Sequence, residues 1–340
     1  MEIFNILKKL DFSYCTRHGL AICDNSLTVL SKFPSNSINL VITSPPFALQ
    51  RQKEYGNKDQ DQYITWLLSF AKIVYEKLRV DGSFVIDLGG AYKKGVPVRS
   101  LYNYRLLIQL CDEIGFHLAE EFFWYNPSKL PSPIEWVNKR KIRVKDSVNT
   151  IWWLSKTENP KSDIKNVLVP YSERMKKLIE DPAKFYTPKE RPSGHNIGAS
   201  FGNDNGGAIP SNLLQISNSE SNSLYLRRCK EFGVKGHPAR FPEKLPSFFI
   251  KLLTEPEDLV VDIFAGSNTT GLVAEKLSRR WISIEERIEY IQASSFRFID
   301  SNINKTKLDE IYNSINSESK INLKDYQEPK KLFNGDALNF

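Results

Sequence analysis

A short polar turn after an apolar run has the clearest chemical potential in this sequence. The run Leu40–Thr43 is apolar and β-branched, which predicts a buried strand, and it is followed by Ser44, Pro45, Pro46 and Phe47. The two prolines lack N–H donors and hold the chain out of a helix. The pattern predicts a rigid elbow at the carboxyl end of the strand, which is the edge where open α/β sheets bind ligands.

The elbow suits the activation of an exocyclic amine on a nucleobase. Such a nitrogen is a poor nucleophile because its lone pair is delocalised into the ring. The hydroxyl of Ser44 and the carbonyl of Pro45 can accept the amine protons, and Phe47 offers a ring face on which an extruded base can stack. Pro-Pro-aromatic turns also occur as plain structural stops, so this motif alone leaves both interpretations open.

A second motif joins the predicted strand Leu259–Asp262, a turn of small residues around Gly266, and a helix predicted to begin near Thr269. Gly266 lets a ligand approach the backbone closely. A further apolar strand, Trp281–Glu285, ends in an acid at roughly the 20-residue distance expected for a carboxylate that binds ribose hydroxyls. The full GxGxxG pattern is missing, which disfavours a dinucleotide pyrophosphate. A cofactor with ribose and no phosphate, such as S-adenosylmethionine, fits better.

Together, Thr43–Phe47 and Asp262–Gly271 resemble the two signatures of the amino-group DNA methyltransferases. The order is the permuted β order, in which the catalytic elbow precedes the cofactor turn, and the resemblance runs from about Tyr14 to Phe298. It implies an α/β fold, with a Rossmann-like, mostly parallel twisted sheet flanked by helices and a smaller target-recognition module. A serine in the first position of the elbow is commoner among cytosine-N4 enzymes than among adenine-N6 enzymes.

The resemblance also implies an activity. It predicts methyl transfer from S-adenosylmethionine to the N4 amine of a flipped cytosine in double-stranded DNA, at the palindrome CAGCTG. Such an enzyme is the protective arm of a restriction-modification system, paired with a cognate restriction endonuclease, and works on the nucleoid in the bacterial cytoplasm. Two alternatives stay open: an adenine-N6 methyltransferase, and a non-catalytic DNA-binding protein on the same fold.

Site residues follow from the matching motif positions and from the segment that resembles the methionine subsite. The predicted catalytic residues are Ser44, Pro45, Pro46, Phe47 and Asp87. The predicted cofactor-binding residues are Asp24, Ala239, Arg240, Phe241, Asp262, Phe264, Gly266, Ser267, Asn268, Thr269 and Glu285. For Phe241, a proline-rich connector with a buried ring is the alternative interpretation.

Two of these acids have structural alternatives. Asp24 either caps the helix that follows it or, as the resemblance suggests, binds the adenine amino group of the cofactor. Asp87 lies near the end of a predicted strand and would be beside the elbow if the two strands are neighbours. It would then orient Ser44 or take the released proton, and the alternative is that it accepts hydrogen bonds from the backbone amides of Gly89 and Gly90.

Two aromatic-rich strands, Phe116–Tyr125 and Val148–Leu154, are predicted to form an edge hairpin, with Trp152 and Trp153 in the core. The connection between them is cationic. Such a run is often a solvated loop, but at the functional edge of the sheet it favours phosphate contacts. The predicted DNA-binding residues are Lys139, Arg140, Lys141 and Arg143.

Composition divides the chain into four predicted parts. Residues 1–155 and 237–300 form the catalytic domain, residues 156–236 the target-recognition module, and residues 301–340 a polar, loosely held tail. The alternative for 156–236 is a disordered linker. Five apolar residues are predicted to anchor the module instead: Ile209, Leu213, Leu214, Tyr225 and Leu226.

A few further local predictions complete the chain. Helices are predicted up to Phe12 and over Tyr63–Lys77, a loop is predicted over Gln50–Asn57, and a turn is predicted at residues 80–82. The segment Leu332–Leu338 echoes Ala21–Leu27, and the two interpretations are a chance similarity, which we favour, and a vestige of duplication.

The composition supports these predictions without proving them. The chain has 340 residues, with 47 Lys and Arg against 40 Asp and Glu, a formal charge of +7 that is consistent with a phosphate-rich partner. None of the four cysteines follows a proline or forms a CxxC pair, which predicts reduced, non-catalytic thiols. The four histidines are scattered, which predicts no metal site. No membrane span or secretory leader is expected.

Overall fold

The computed structural model describes residues 10–47, 60–185, 192, 198–219, 223–317 and 320–327. Three predicted features lie wholly or mainly outside these residues: the N-terminal helix, the loop at residues 50–57 and the echo at residues 332–338.

Within the described residues, ten strands form one sheet. They are β1 (Tyr14–Cys15), β2 (Gly19–Cys23), β3 (Ile38–Thr43), β4 (Leu78–Leu88), β5 (His117–Tyr125), β6 (Val148–Ser155), β7 (Leu213–Gln215), β8 (Leu259–Asp262), β9 (Arg280–Glu285) and β10 (Ile321–Asn322).

The described helices cover the faces of this sheet or connect its strands. The α-helices are α1 (Ser26–Ser31), α2 (Gln60–Lys77), α3 (Tyr102–Gln109), α4 (Glu173–Glu180), α5 (Pro182–Phe185), α6 (Leu224–Glu231), α7 (Lys244–Leu253), α8 (Thr269–Lys276), α9 (Ile288–Ser294) and α10 (Lys305–Asn316). Short 3₁₀ turns cover Ile164–Val167, Ala199–Gly202, Ser295–Phe298 and Lys324–Tyr326, and π-helical turns cover Leu110–Ile114 and Glu135–Lys139.

The strand order is β10-β1-β2-β9-β8-β3-β4-β6-β5-β7. The five central strands, from β2 to β4, are parallel, whereas β6 runs antiparallel to both β4 and β5. The carboxyl ends of the parallel strands therefore share one edge of the sheet. The predicted α/β fold with a mostly parallel sheet is confirmed.

Both faces of the sheet are buried, which is why its strands are apolar at nearly every position. Along β3, Leu40 and Ile42 pack into one core with α7 and α8, while Val41 packs into the opposite core with α2 and α3. Trp152 and Trp153, on β6, are divided between the same two cores, as predicted. This alternation fixes the register of the strands and therefore the positions of the residues at their ends.

Several predicted details are wrong. Residues 80–82, predicted as a turn, form a bulge within β4, where the pairing with β3 shifts its register. The β5–β6 hairpin is not at the edge, because β7 pairs in parallel with the outer side of β5. Of the five predicted anchors, Ile209 and Leu213 are exposed, whereas Leu214 and Tyr225 are buried.

The C-terminal segment is also better packed than predicted. Through residue 327 it is not a loose tail, because α10 buries Leu308, Ile311 and Ile315 in the core and β10 pairs with β1. The apolar face of α10 has the helical spacing that predicts burial. The segment was predicted to be loose from its overall composition, which is polar because polar residues surround the apolar face of α10.

Candidate active site

The elbow lies directly after β3. Because β3 and β4 are parallel neighbours, with Thr43 opposite Ile86, Asp87 comes to lie beside Ser44. Ser44 Oγ donates a hydrogen bond of 3.0 Å to Asp87 Oδ2, and Asn149 Nδ2 donates one of 3.0 Å to Asp87 Oδ1. These partners are side chains, so the alternative in which Asp87 accepts hydrogen bonds from the amides of Gly89 and Gly90 is wrong.

Burial tunes the acidity of Asp87. The side chain is 6% exposed, and its burial raises the carboxyl pKa from 3.8 to about 6. The hydrogen bonds from Asn149 and Ser44 and the charge of Lys129 act in the opposite direction. The site therefore holds a carboxylate that can exchange a proton near neutral pH.

The second motif begins with a buried carboxylate at the end of β8. Asp262 accepts hydrogen bonds from Thr43 Oγ1 at 2.7 Å, from Thr270 Oγ1 at 2.6 Å and from the Phe264 amide at 3.1 Å. Burial raises the pKa of this carboxyl, and the same hydrogen bonds lower it. Since Thr43 ends β3, the carboxylate links the catalytic elbow directly to the glycine turn.

The glycine turn is fixed by the acid at the end of β9. Gly266 has a φ of +50°, and its amide donates a hydrogen bond of 2.9 Å to Glu285 Oε2. The amide of Arg287 donates to Glu285 Oε1 at 3.1 Å. Burial raises the pKa of the Glu285 carboxyl. A Cβ at Gly266 would lie 3.1 Å from the ring of His237, so glycine is favoured by both conformation and space.

The two motifs meet in one cavity of about 930 Å³. Thirteen of the predicted catalytic and cofactor-binding residues line it: Ser44, Pro45, Pro46, Phe47, Asp87, Ala239, Arg240, Phe241, Phe264, Gly266, Ser267, Thr269 and Glu285. The elbow and the glycine turn therefore lie on the wall of the same cavity. Phe241 lines the cavity and also packs against the core, so its two interpretations describe one position.

Three predicted cofactor residues are not on the cavity wall. Asp262 is buried behind it, as described above. Asn268 is fully buried, and its Oδ1 accepts hydrogen bonds from the Gly271 amide at 3.0 Å and from Ser283 Oγ at 2.6 Å. Asp24 follows β2 and accepts a hydrogen bond from the Asn25 amide. It does not cap α1, because Asn25 is the N-cap residue.

Several residues on the wall were not predicted, including Trp66, Trp124, Asn126, Lys129, Asn149 and His237. Asn126 directly follows the last residue of β5, and Asn149 is the second residue of β6. The antiparallel pairing of β4 and β6 brings these residues to the carboxyl edge. Predicting the hairpin thus located the neighbourhood, but no local pattern distinguished Asn149 as the partner of Asp87.

The cationic connection between β5 and β6 lies at this edge, as predicted, and its residues Lys139, Arg140, Lys141 and Arg143 are exposed. Glu135 forms ion pairs with Lys139 at 3.3 Å and with Arg140 at 3.2 Å. The guanidinium of Arg143 donates to the carbonyls of Ile142 and Pro97. Some of the positive charge is therefore already engaged within the protein.

Two properties of the described residues concern other classes of site. Within residues 10–327, apart from the gaps given above, no three His, Cys, Asp or Glu side chains are grouped so that they could hold a metal ion. In the same part of the chain, no helix has the length and apolar character needed to cross a membrane.

Fold and site define the class of protein. A parallel sheet with a glycine turn, a ribose-compatible acid and a Ser-Pro-Pro-Phe elbow around one cavity is the architecture of an enzyme that brings a nucleoside cofactor against a second substrate. A family model described as DNA methylase matches residues 38–296. The chain belongs to this family of DNA methyltransferases.

Individual relatives agree. The chain is 68% identical over 308 residues to the type II methyltransferase M.PvuII of Proteus hauseri, covering 90% of this chain and 92% of the relative. It is 26% identical over 287 residues to M.HpaI of Haemophilus parainfluenzae, covering 83% and 74%. The solved structure of the cytosine-N4-specific PvuII DNA methyltransferase superposes with a TM-score of 0.75 at 57% identity, covering 92% of this chain and 97% of that one.

A more distant solved structure shares the fold. It is a putative DNA modification methylase of Thermus thermophilus in complex with S-adenosyl-L-methionine, with a TM-score of 0.51 and 16% identity over 91% of this chain and 98% of that chain.

Proposed function

We propose that this chain transfers a methyl group from S-adenosylmethionine to the N4 amine of a cytosine flipped out of double-stranded DNA. The observation that carries the proposal is the Ser44–Asp87 hydrogen bond of 3.0 Å on the wall of the cavity that also contains Gly266 and Glu285. Because Ser44 donates its hydroxyl proton to Asp87, the lone pairs of the Ser44 oxygen can accept a hydrogen bond from an amine. The similarity to a cytosine-N4-specific enzyme supports the choice of base.

The residues around the glycine turn fit the cofactor. Glu285 uses each oxygen once, for the amides of Gly266 and Arg287, and has lone pairs left for ribose hydroxyls. Phe264, whose ring centroid is 5.3 Å from that of Trp66, offers an aromatic surface for adenine.

The methionine end of the cofactor is assigned to Ala239, Arg240 and Phe241, on the same cavity wall. When bound, S-adenosylmethionine supplies an electrophilic methyl group on its sulfonium sulfur.

At the other end, the elbow holds the base. The Ser44 oxygen and the Pro45 carbonyl accept the two amine hydrogens, which localises the lone pair on nitrogen. Phe47 stacks on the base, and Gly89 provides room for this ring, because a Cβ there would lie 2.6 Å from Phe47 Cε2. Positioning supplies most of the rate acceleration.

The methylated nitrogen must lose one proton. This proton passes to the Ser44 oxygen while the hydroxyl proton passes to Asp87, so the serine ends unchanged and the carboxylate becomes a carboxylic acid. The Asp87 pKa of about 6 suits a group that accepts this proton near neutral pH and then releases it to water. No covalent intermediate on the enzyme is needed.

We assign target recognition to residues 156–236 and propose the palindrome CAGCTG as the site, with a cognate restriction endonuclease as the functional partner on the bacterial nucleoid. This segment adds β7 to the sheet beside β5, and its Asn218 and Ser219 line the active-site cavity. Amide and hydroxyl side chains of this kind can read base edges in the major groove.

The test incubates the protein with labelled S-adenosylmethionine and a duplex containing CAGCTG, followed by nucleoside analysis. N4-methylcytosine supports the proposal, N6-methyladenine replaces it with the adenine enzyme, and no product leaves a DNA-binding protein. A duplex carrying the scrambled site CACGTG is the control. Equal methylation of both duplexes would overturn the site but not the reaction, and sequencing of methylated DNA would then locate the true site.

A further inference from the structure

The connection between β5 and β6 exposes an unusual number of apolar side chains beside its cations. Leu130 is 81% exposed and Val144 is 87% exposed. Ile134 and Ile142 in the same loop are also exposed, as is Val148 at the start of β6. Exposed large apolar residues grouped in this way mark a surface that is covered by a partner.

This loop forms part of the rim of the active-site cavity. Asn126 and Lys129 near its start and Ser147 at its end line the cavity, and Leu130 directly follows Lys129. The charge of Lys129 lowers the pKa of Asp87, so this part of the loop lies within electrostatic reach of the catalytic carboxylate. Leu130 and Val148 each directly follow a rim residue in sequence, and Leu130 is the more exposed of the two, at 81% against 40%.

Leu130 is carried by a turn that is held in place. The Lys145 ammonium donates hydrogen bonds to the carbonyls of Pro127, at 3.0 Å, and Lys129, at 3.4 Å. The Asn126 amide donates to the Ser147 carbonyl at 2.9 Å, and the Lys129 amide donates to the Asn126 carbonyl at 3.2 Å. Because this turn is already ordered by hydrogen bonds, Leu130 can insert into a partner without the entropy loss of ordering the loop on binding.

The occupant that fits this surface is a DNA duplex with one base removed from its stack. Exposed cations of the same loop, such as Lys141, match the phosphates, while an apolar side chain matches the stacked interior of the helix. When the target base leaves the helix, it leaves a gap in the base stack, and this gap lies next to the pocket that receives the base.

We propose that Leu130 enters the gap left by the target cytosine and holds that base in the extruded state. The inference rests on the proposed function, because it requires that a base is flipped into the Ser44 pocket. Leu130 is thus a positioning residue that acts through the DNA and not on the reacting atoms.

The test compares Leu130→Ala and Leu130→Met with the wild type in single-turnover methylation of two duplexes. In one, the target cytosine is paired with guanine, and in the other it lies opposite an abasic position and is already loosely held. We expect Leu130→Ala to lose at least tenfold in rate on the paired target and less than threefold on the unpaired target. Leu130→Met should stay within threefold of the wild type on both.

A second readout follows extrusion directly. With 2-aminopurine in place of the target base, Leu130→Ala should lose most of the fluorescence increase that the wild type gives on binding. The matched control is Leu118→Ala, which removes a 42% exposed leucine at the start of β5, the opposite end of the sheet from the active site. It should match the wild type in both assays.

Three results would overturn the inference. One is a wild-type rate and wild-type fluorescence for Leu130→Ala. Another is an equal loss on paired and unpaired targets, which would indicate a general disturbance of the loop. The third is a change of oligomeric state without a change in the ratio of the two rates, which would indicate a protein partner. If the wild type forms no N4-methylcytosine at all, the proposed function itself fails.

Discussion

The pKa of the Asp87 carboxyl is set by the residues around it. Asn149 and Ser44 each donate one hydrogen bond to it, and Lys129 adds a favourable charge, yet burial outweighs all three and raises the pKa to about 6. Asp262 is equally buried and accepts three hydrogen bonds. The first carboxylate lies on the cavity wall, where the proposed proton transfer would take place, and the second lies behind the wall.

Methylation should depend on the protonation of Asp87. We expect the single-turnover rate to fall about tenfold per pH unit below pH ~6, because only the ionised carboxylate can accept the released proton. Asp87→Ala should lower turnover by about 10²-fold or more, remove this acid limb and leave the affinity for S-adenosylmethionine unchanged. Equal losses in turnover and cofactor affinity would instead make Asp87 structural. Single-turnover kinetics over a range of pH measure the methylation rate, and equilibrium titration measures the affinity for S-adenosylmethionine.

The same pKa predicts a stability cost. A carboxyl group whose pKa is raised on folding binds more protons in the native state, so its contribution to stability falls as the pH rises from about 4 to about 6. Asp87→Asn removes this cost and should raise the free energy of unfolding by up to about 3 kcal/mol at pH 8, and by about half as much at pH 5.

Denaturant unfolding at the two pH values measures this gain. Asp112→Asn, at an exposed site in the π-turn after α3, should change little at either pH. A gain that does not decrease toward pH 5 would contradict the assignment.

At the scale of elements, the site depends on where strands end. The order β9-β8-β3-β4 places Glu285, Asp262, the Ser44 elbow and Asp87 along one edge, although the chain separates the first two from the others by most of its length. The Thr43–Asp262 hydrogen bond of 2.7 Å joins the ends of the two middle strands. It sets the distance between the cofactor half and the base half of the cavity.

Loss of this link should affect both halves. Thr43→Val keeps the shape of the side chain and removes its donor, so the buried Asp262 carboxylate loses one of its three hydrogen bonds. We expect a destabilisation of about 1–3 kcal/mol, together with weaker cofactor binding and slower methylation. Thermal unfolding, cofactor titration and single-turnover rates test this. Thr306→Val, at an exposed position of α10, is the control. If Thr43→Val behaves like the wild type in all three measurements, the Thr43–Asp262 hydrogen bond is dispensable.

At the scale of the whole molecule, the net charge of +7 is spread over a chain with 40 acidic residues, so where the cations lie matters more than their excess. The loop between β5 and β6 concentrates them at the carboxyl edge. Glu135 partly neutralises Lys139 and Arg140. The packed α10 and β10 complete the fold at the edge of the sheet opposite β7, where β10 pairs with β1.

The salt dependence of DNA binding should reveal the phosphate contacts. Lys139, Arg140 and Lys141 changed together to alanine should reduce the slope of log affinity against log salt by about 1–3. The reciprocal variant Glu135→Gln releases two cations and should steepen the slope. Fluorescence anisotropy between low and moderate salt measures both. An unchanged slope in the triple variant would show that these side chains do not contact phosphate.

Much of the fold was predictable because its signals are local. The apolar runs of β3, β8 and β9 and the small residues before α8 are short-range patterns, and the structure has each of them within a few residues of the predicted position. The π-turns, the bulge in β4 and the addition of β7 were missed, because each one is set by a neighbouring strand or helix and not by its own residues.

The site divides in the same way. The sequence by itself determined which residue types stand at the strand ends, from Ser44 to Glu285, and therefore what chemistry they can do. Only the tertiary structure decided that Asn149 supports Asp87, and that Asn268 and Asp262 face inward rather than toward the cavity. The physical reason is that periodicity acts over a few residues, whereas the partner of a buried polar group is chosen by strand order and register across the whole sheet.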